Sequence, residues 1–470
     1  MNSRKMEVLN HFENLAPNYT RYKKRFKYYW KDIANYFNYF IHPQQKILAI
    51  GCGNGDLLHE INGTHKTGID FSPAMIAEAK KNYPAINFIA MDAEKLELDQ
   101  QYDVVILSNV IGYLDNILNV LLQIQKVSHD GTRIIISHYN YLWEPVLRFG
   151  ERIGIKKKSP RQSWLSKTDI NNLLFLAGFD AYRNTTRILI PFYIPLFSWF
   201  INKFIGRLPL INQLCLNQFV FARRMHNWQQ NEFSTSIVIP ARNESGNIEN
   251  AILRLPPFGR EQEIIFIEGG SSDDTWEKIQ AIKDKYPDKK IKIGQQTGKG
   301  KGDAVRMGFD MAEGDILMIL DADLTVPPED LPLFYAAIAT GKGDFINGSR
   351  LIYPMDKKAM RLLNLLGNKF FSIMFSWLLE QPIKDTLCGT KVIFRKDYQC
   401  LISNRSFFGN FDPFGDYDLI FGAYKLNLKI IDLPIRYRER SYGDTNISRF
   451  SHGFLLLRMV FYAAKKIKFR

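Results

Sequence analysis

Two series of short apolar runs, several of them breaking into a glycine turn or an acid, constrain this chain more than any other feature. In the first series the runs cover residues 46–50, 67–70, 87–90, 104–108 and 132–137, with helical stretches between them. That rhythm predicts strands alternating with helices in a parallel, doubly wound α/β sheet. A polar stretch at 226–232 interrupts it, and a new strand at 236–240 restarts it. Two α/β domains are expected, residues 1–225 and 235–470, joined by a linker over 226–234. The halves share a rhythm but no motif, which predicts a fusion of two nucleotide-type folds rather than a duplication.

The 470 residues are 46% hydrophobic and 13% aromatic, enough to bury large cores. An excess of 62 Lys and Arg over 48 Asp and Glu gives +14, which points to an anionic partner: nucleotide phosphates, an acidic membrane face or nucleic acid. No recognisable nucleic-acid module accompanies the charge, so specific nucleic-acid binding is not expected. Cys52, Cys215, Cys388 and Cys400 stand singly, which indicates neither a zinc site nor a disulfide framework and fits a reducing cytoplasm. The polar stretch 1–15 is unlike a secretory signal, so export is not expected.

In the second half, Asp321-Ala322-Asp323 ends the apolar run 316–320. It delivers two carboxylates into a loop at the carboxyl end of a strand, where open α/β sheets bind their ligands. Hard oxygen donors suit Mg2+ or Mn2+ bridging a nucleotide's phosphates, which makes Asp321 and Asp323 the candidate metal ligands. The strand 236–240 ends in Pro240 and then offers Asn243 and Glu244, suited to gripping a base or ribose. The strand 263–267 ends in Glu268, followed by glycines and a helix cap. Gly298-Lys299-Gly300-Lys301-Gly302-Asp303 sets lysines in a glycine loop ahead of a helix. Lys299, Asp303 and Asp321 complete the candidate nucleotide-sugar contacts.

This ordered series resembles the family-2 glycosyltransferases of GT-A fold over about residues 233–450. Within them it is most similar to the dolichyl- or polyprenyl-phosphate sugar transferases, through Asn347-Gly348-Ser349-Arg350, Asp385-Thr386-Leu387-Cys388-Gly389-Thr390-Lys391 and the motif from Arg440 to Ser448. The resemblance implies that Asp321 and Asp323 hold metal and diphosphate, that Glu244 and Glu268 lie at the nucleoside, and that Arg440 reaches a phosphate. Glu268-Gly269 replaces the double acid usual in the family. A polyprenyl phosphate acceptor is already anionic and needs no general base, whereas a sugar hydroxyl needs one. Asp416 and Asp418 lie where hydroxyl-directed relatives carry a catalytic acid, and as plainly fit a helix cap.

In the first half, Gly51, Gly53 and Gly55 form a GxGxG turn after a strand. Asp70 ends the next strand about 20 residues beyond, where a carboxylate takes ribose hydroxyls. Asp92 follows the third strand, placed for an adenine amino group, and Ser108 ends the fourth. Together these resemble class I S-adenosylmethionine-dependent methyltransferases over about residues 40–225. Ala49 departs from the acid the family usually carries before its first glycine. His138, after the fifth strand, is the candidate base for the methyl acceptor or a wall of the acceptor pocket.

The expected enzyme is therefore bifunctional. It transfers a sugar from a nucleotide-diphosphate sugar to a polyprenyl phosphate and methylates a related glycan or lipid, with S-adenosylmethionine and Mg2+ or Mn2+ as cofactors. The alternative is a glycosyltransferase of glycan hydroxyls whose first domain is a non-catalytic docking module. The apolar stretch 188–201 is too short to cross a bilayer and reads as a lid or membrane-facing flap, and 454–464 with its basic tail reads as an interfacial anchor. Basic and aromatic residues over 21–31 add to membrane attraction or belong to a helix of the first domain. A cytoplasmic enzyme peripheral to the inner face of the membrane is expected.

Overall fold

The structure is a computed structural model that describes residues 3–225, 233–350, 362–403, 417–435, 442 and 449–469. They fall into two compact units that part at Met225. Among the described residues each unit is built on a seven-stranded sheet with helices packed on it.

The first unit has strands β1 (Lys46–Ile50), β2 (His65–Asp70), β3 (Asn87–Ala90), β4 (Tyr102–Ser108), β5 (Ser128–Tyr139), β6 (Phe179–Arg187) and β7 (Asn217–Arg224), in the order β3-β2-β1-β4-β5-β7-β6. β3 to β5 run parallel, and β7 lies antiparallel to both β5 and β6. The interior strands read as apolar runs because both their faces are covered: Leu48, Ile50, Val105, Leu107, Ile134 and Ile136 are all buried in one core. Chain order reverses beside β1, whose neighbours are β2 and β4, and this opens a crevice outside the carboxyl ends of the strands.

The second unit repeats the plan with β8 (Thr235–Ala241), β9 (Gln262–Glu268), β10 (Lys290–Gln295), β11 (Ile316–Ile319), β12 (Phe345–Ser349), β13 (Lys391–Phe394) and β14 (Ile430–Pro434). Their order is β10-β9-β8-β11-β13-β12-β14, with β13 antiparallel to β11 and β12. Ile237, Phe266, Met318, Ile346 and Val392 meet in its core. The order reverses between β9 and β11 on either side of β8, so the loops after β8 and β11 share one crevice.

Each doubly wound sheet also carries one antiparallel strand. β7 and β13 enter from the opposite direction, which saves each a crossover connection. The apolar stretch 188–201 forms a loop and most of the helix Phe197–Lys203. The helix Arg449–Ala463 buries Leu456, Met459 and Val460 while Phe454 and Phe461 face out. The packed reading of this segment thus describes one of its faces. No helix among the described residues is long and apolar enough to cross a membrane.

Candidate functional site

In the first unit the turn after β1 closes on Asp70. Gly51 adopts φ +67°, and a Cβ there would collide with Val110, so glycine lets the turn lie against the loop after β4. The Gly53 N–H donates to Asp70 Oδ2 at 2.9 Å and the Ser72 N–H donates to Oδ1 at 3.0 Å. Burial pushes the Asp70 carboxyl up, against those two hydrogen bonds. A cavity beside this turn brings together Gly51, Gly53, Asp70, Asp92 and Ser108. Gly55 stands behind the wall, capping the helix Asp56–Glu60 at φ +81°.

His138 does not join them. It is buried on β5 outside the cavity lining, with Nδ1 3.0 Å from the Tyr139 carbonyl oxygen and, among the described residues, no hydrogen-bond partner at Nε2. Burial pulls its pKa down to about 4. The strand's alternation explains the correction: successive side chains face opposite ways, and Tyr139 takes the place in the wall.

The amino-terminal helices supply contacts that the motifs did not announce. Lys5 Nζ reaches Asp92 Oδ2 at 2.5 Å and Glu94 at 3.1 Å. Burial alone would lower the Lys5 pKa, but these two acids outweigh it and raise it. Asp92 thus meets a cation as well as the cavity. Glu13 accepts a hydrogen bond from the Ser72 hydroxyl at 2.6 Å, and Tyr19, Tyr22 and Trp30 line the cavity. Lys23, buried between the Tyr19 and Trp30 rings, has its pKa lowered by burial although Asp56 stands 3.8 Å away. The only sequence signal for this wall was the aromatic density of 19–30. Asn109, at φ +54° directly after β4, donates to the Tyr29 hydroxyl at 2.8 Å.

In the second unit the acidic loop leaves β11 at the crevice. Asp321 Oδ1 lies 2.6 Å from Lys301 Nζ. Burial would raise its pKa, but Lys301, Lys391 and Arg350 hold it below the usual carboxylate range. Gly389 closes over this pair, since a Cβ there would strike both the Asp321 carboxylate and the Lys301 amine. Asp323 Oδ1 accepts the Thr325 N–H at 3.1 Å and its hydroxyl at 2.8 Å.

The loops after β8 and β9 are laced together. The Asn243 N–H donates to Ser271 Oγ at 3.0 Å, and Asn243 Oδ1 accepts the Ser272 N–H at 2.8 Å. Glu268 accepts the Ser271 N–H at 2.5 Å. Glu244 is buried, accepting from Asn247 Nδ2 at 2.7 Å. Pro240 lies on β8 beside Ile267, one step before the Ala241 and Glu268 pair. The candidates from β8 and β9 are thus neighbours across one register.

The two lysines of the glycine loop stand differently. Lys299 is exposed, whereas Lys301, the first residue of the helix Lys301–Met311, reaches Asp321. Asp303 accepts the Gly298 N–H at 2.9 Å and shuts the loop on itself. Asp418 is nearly buried, 3.5 Å from Arg306. Asp416 and Arg440 lie outside the described residues. Arg350, in the Asn347 motif, forms a two-pronged pair with buried Asp385 at 2.7 and 2.8 Å. Lys391 is buried against the Asn347 side-chain oxygen at 3.1 Å.

Asp321 and Asp323 are an all-oxygen donor pair and fit a hard divalent cation whose remaining ligands come from a diphosphate or water. Among the described residues no cluster of three or more His, Cys, Asp or Glu side chains forms a metal cage.

These features define an α/β transferase of two units, each with a ligand crevice at the carboxyl ends of its strands. Residues 236–402 match the sequence model of glycosyl transferase family 2, and residues 41–172 match that of a methyltransferase domain. The chain therefore carries a methyltransferase domain followed by a family-2 glycosyltransferase domain. It is 40% identical over 119 residues to a dolichol-phosphate mannosyltransferase of Pyrococcus furiosus, covering 25% of this chain and 33% of the relative. It is 32% identical over 219 residues to an undecaprenyl-phosphate 4-deoxy-4-formamido-L-arabinose transferase of Proteus mirabilis, covering 45% of this chain and 62% of the relative. The chain thus spans one third to about three fifths of the length of these relatives. A solved S-adenosylmethionine-dependent methyltransferase of Thermotoga maritima, a possible histamine N-methyltransferase, is similar at 15% identity and a TM-score of 0.36, over 46% of this chain and 99% of that one.

Proposed function

We propose that the second unit transfers a sugar from a nucleotide-diphosphate sugar to a polyprenyl phosphate, and that the first unit methylates a related glycan or lipid with S-adenosylmethionine. The observation that carries the first part is the Lys301 and Asp321 pair under Gly389, with Arg350 and Lys391 near it, at the crevice of β8 and β11. Such a group of cations around an acidic loop suits a diphosphate leaving group and an anionic acceptor. The relatives named for lipid-phosphate sugar transfer support the same acceptor class.

In this reading an acceptor phosphate oxygen attacks the anomeric carbon while the bond from that carbon to the donor diphosphate breaks, and the electron pair leaves with the diphosphate. No proton has to move, so no general base is required. Lys301 stands beside the leaving group, and the braced loops carrying Asn243, Glu244 and Glu268 hold the nucleoside. Mg2+ or Mn2+ held by Asp321 and Asp323 would neutralise the diphosphate charge. In the first unit Asp70 takes the ribose and Asp92 the adenine end of the cofactor.

The test is transfer of labelled sugar from a panel of UDP- and GDP-sugars to polyprenyl phosphate in detergent, with Asp323→Asn as control. Label entering the organic phase only with the unaltered protein is the expected result. Donor binding without such transfer would move the acceptor to a glycan hydroxyl. Titration with S-adenosylmethionine tests the first unit, and absence of binding would make it a docking module.

A further inference from the structure

We propose that the first unit docks on an anionic lipid bilayer through a face of its own, centred on Phe192–Phe200. This inference stands on the first unit alone and does not rest on the sugar acceptor proposed above. Its starting point is an inverted helix. In Phe197–Lys203 the polar Ser198 and Asn202 are buried, while Phe197, Trp199 and Phe200 are about half exposed. A helix facing water would show the opposite pattern.

The inversion is built in by hydrogen bonds. Ser198 Oγ donates to the Phe192 carbonyl oxygen at 2.6 Å and accepts the Ile194 N–H at 2.9 Å. Asn202 accepts the Leu189 and Ile190 N–H groups at 2.8 and 2.9 Å and donates to the Tyr28 hydroxyl at 3.1 Å. These polar groups satisfy the loop from beneath and hold its apolar side chains outward. Leu196 and Leu210, 82% and 78% exposed, both sit at positive φ, +59° and +71°. Leucine adopts that conformation only where its surroundings impose it.

The patch continues onto a neighbouring helix. Trp143 Nε1 donates to the Leu214 carbonyl oxygen at 2.7 Å and Asn140 Nδ2 to that of Gln213 at 2.8 Å. They tie the exposed Leu210 and Leu214 to Glu144–Arg152, a helix with no buried residue whose Val146 and Phe149 face out. Exposed apolar side chains gathered on linked elements in this way mark an interaction site.

Charge selects the occupant. Phe26 packs on Phe192 with ring centres 6.0 Å apart, and Tyr28 on Tyr193 at 5.8 Å. This sets the exposed Arg21, Lys24, Arg25, Lys27 and Lys31 beside the aromatic loop, in a stretch with no acid from 19 to 31. Lys203 adds a cation over the Trp199 ring at 5.0 Å. Aromatic tips beside a basic cluster suit the headgroup region of an anionic leaflet. A second copy docking by the same face would bring two such clusters together and be repelled.

The experiment uses the full chain with phosphatidylcholine vesicles, with and without phosphatidylglycerol, and with brominated acyl chains as quencher. The Trp199 share of the emission is taken as the difference from Trp199→Phe. With anionic vesicles at low salt it should shift to the blue and be quenched, and added salt should reverse this. Arg25→Glu with Lys27→Glu should weaken that response at least about tenfold while leaving nucleoside-ligand binding to the cavity and the circular dichroism unchanged. Co-sedimentation without Trp199 quenching would overturn the proposal, because the carboxyl-terminal helix would then be the sole contact. A blue shift that follows protein concentration without vesicles would also overturn it, in favour of a second copy.

Discussion

Lys301 Nζ and Asp321 Oδ1 meet at 2.6 Å with the Gly389 backbone closed over them. Three segments far apart in sequence thus share one point at the end of β11, and each can be altered separately. Lys301→Met removes the nearest cation from a half-buried carboxylate and is expected to lower sugar transfer by roughly 100-fold or more. Gly389→Ala should cost at least about tenfold, because its Cβ must displace the pair. Transfer rates read against thermal melts check both, and an unaffected Gly389→Ala enzyme would detach the pair from the chemistry.

Asp70 serves the turn and, in the proposed reading, the cofactor. Its two oxygens accept the Gly53 and Ser72 N–H groups. Asn at this position keeps one acceptor and turns an NH2 toward the other donor. Asp70→Asn is therefore expected to weaken S-adenosylmethionine binding by about 10- to 100-fold, the range of a charge-assisted hydrogen bond. Calorimetric titration measures it.

The parts of the fold legible in sequence are those fixed locally. β1 occupies the span its apolar run predicts because a strand covered on both faces is apolar over nearly its whole length, while β3, at the sheet edge with both ends exposed, still matches the run 87–90. The Gly51 turn and Asp70 were legible for the same reason, since backbone conformation and register place them. β7 and β13 were not, because antiparallel entry depends on where the chain returns from. That Lys301 meets Asp321 was not legible for a related reason: two lysines sit in one glycine loop, and only the path of β11 decides which of them reaches the acid. The Arg350 and Asp385 pair lay in motifs noted for their resemblance, but their contact is set by sheet order. Lys5 and Glu13 carried no motif at all.

His138 gives a pH prediction whose sign is fixed by burial. Its pKa falls from an ordinary value near 6.5 to about 4 in the folded protein. The unfolded chain therefore takes up a proton that the folded one refuses. Stability is full above about pH 6.5 and is lost as pH falls toward 4, by at most about 3 kcal/mol. His138→Gln should flatten that loss in urea unfolding at about pH 7.5 and pH 5. Because the ring lies outside the cavity lining, the same variant should keep methyl transfer within about threefold at pH 7.5. A hundredfold loss there, at unchanged stability, would restore the histidine as a base.

In the second unit Asp432 and Asp385 predict opposite pH slopes although Asn347 touches both. Asn347 Nδ2 donates to the Asp385 carbonyl oxygen at 2.8 Å and to Asp432 Oδ1 at 2.7 Å. Burial would raise Asp385, but Arg350 overrides it and holds the carboxyl low, so its contribution is present above about pH 4 and lost below. Burial raises Asp432 to about 6, and Asp385 adds to the rise. Its contribution is present below about pH 4 and lost as pH climbs through about 6, by no more than about 3 kcal/mol. Asp432→Asn should therefore remove a decline in stability between about pH 4 and 6.5 and leave the acid limb, to which Asp385 contributes, in place. Asp385→Ala should shrink that limb, to which Glu263, Asp273, Asp315 and Asp321 also contribute, and destabilise the unit by about 3–5 kcal/mol, because Arg350 then loses this carboxylate. Unfolding midpoints of the two variants across this range separate the contributions. Parallel curves for Asp432→Asn and the unaltered chain would show that Asp432 keeps an ordinary carboxyl pKa in the fold.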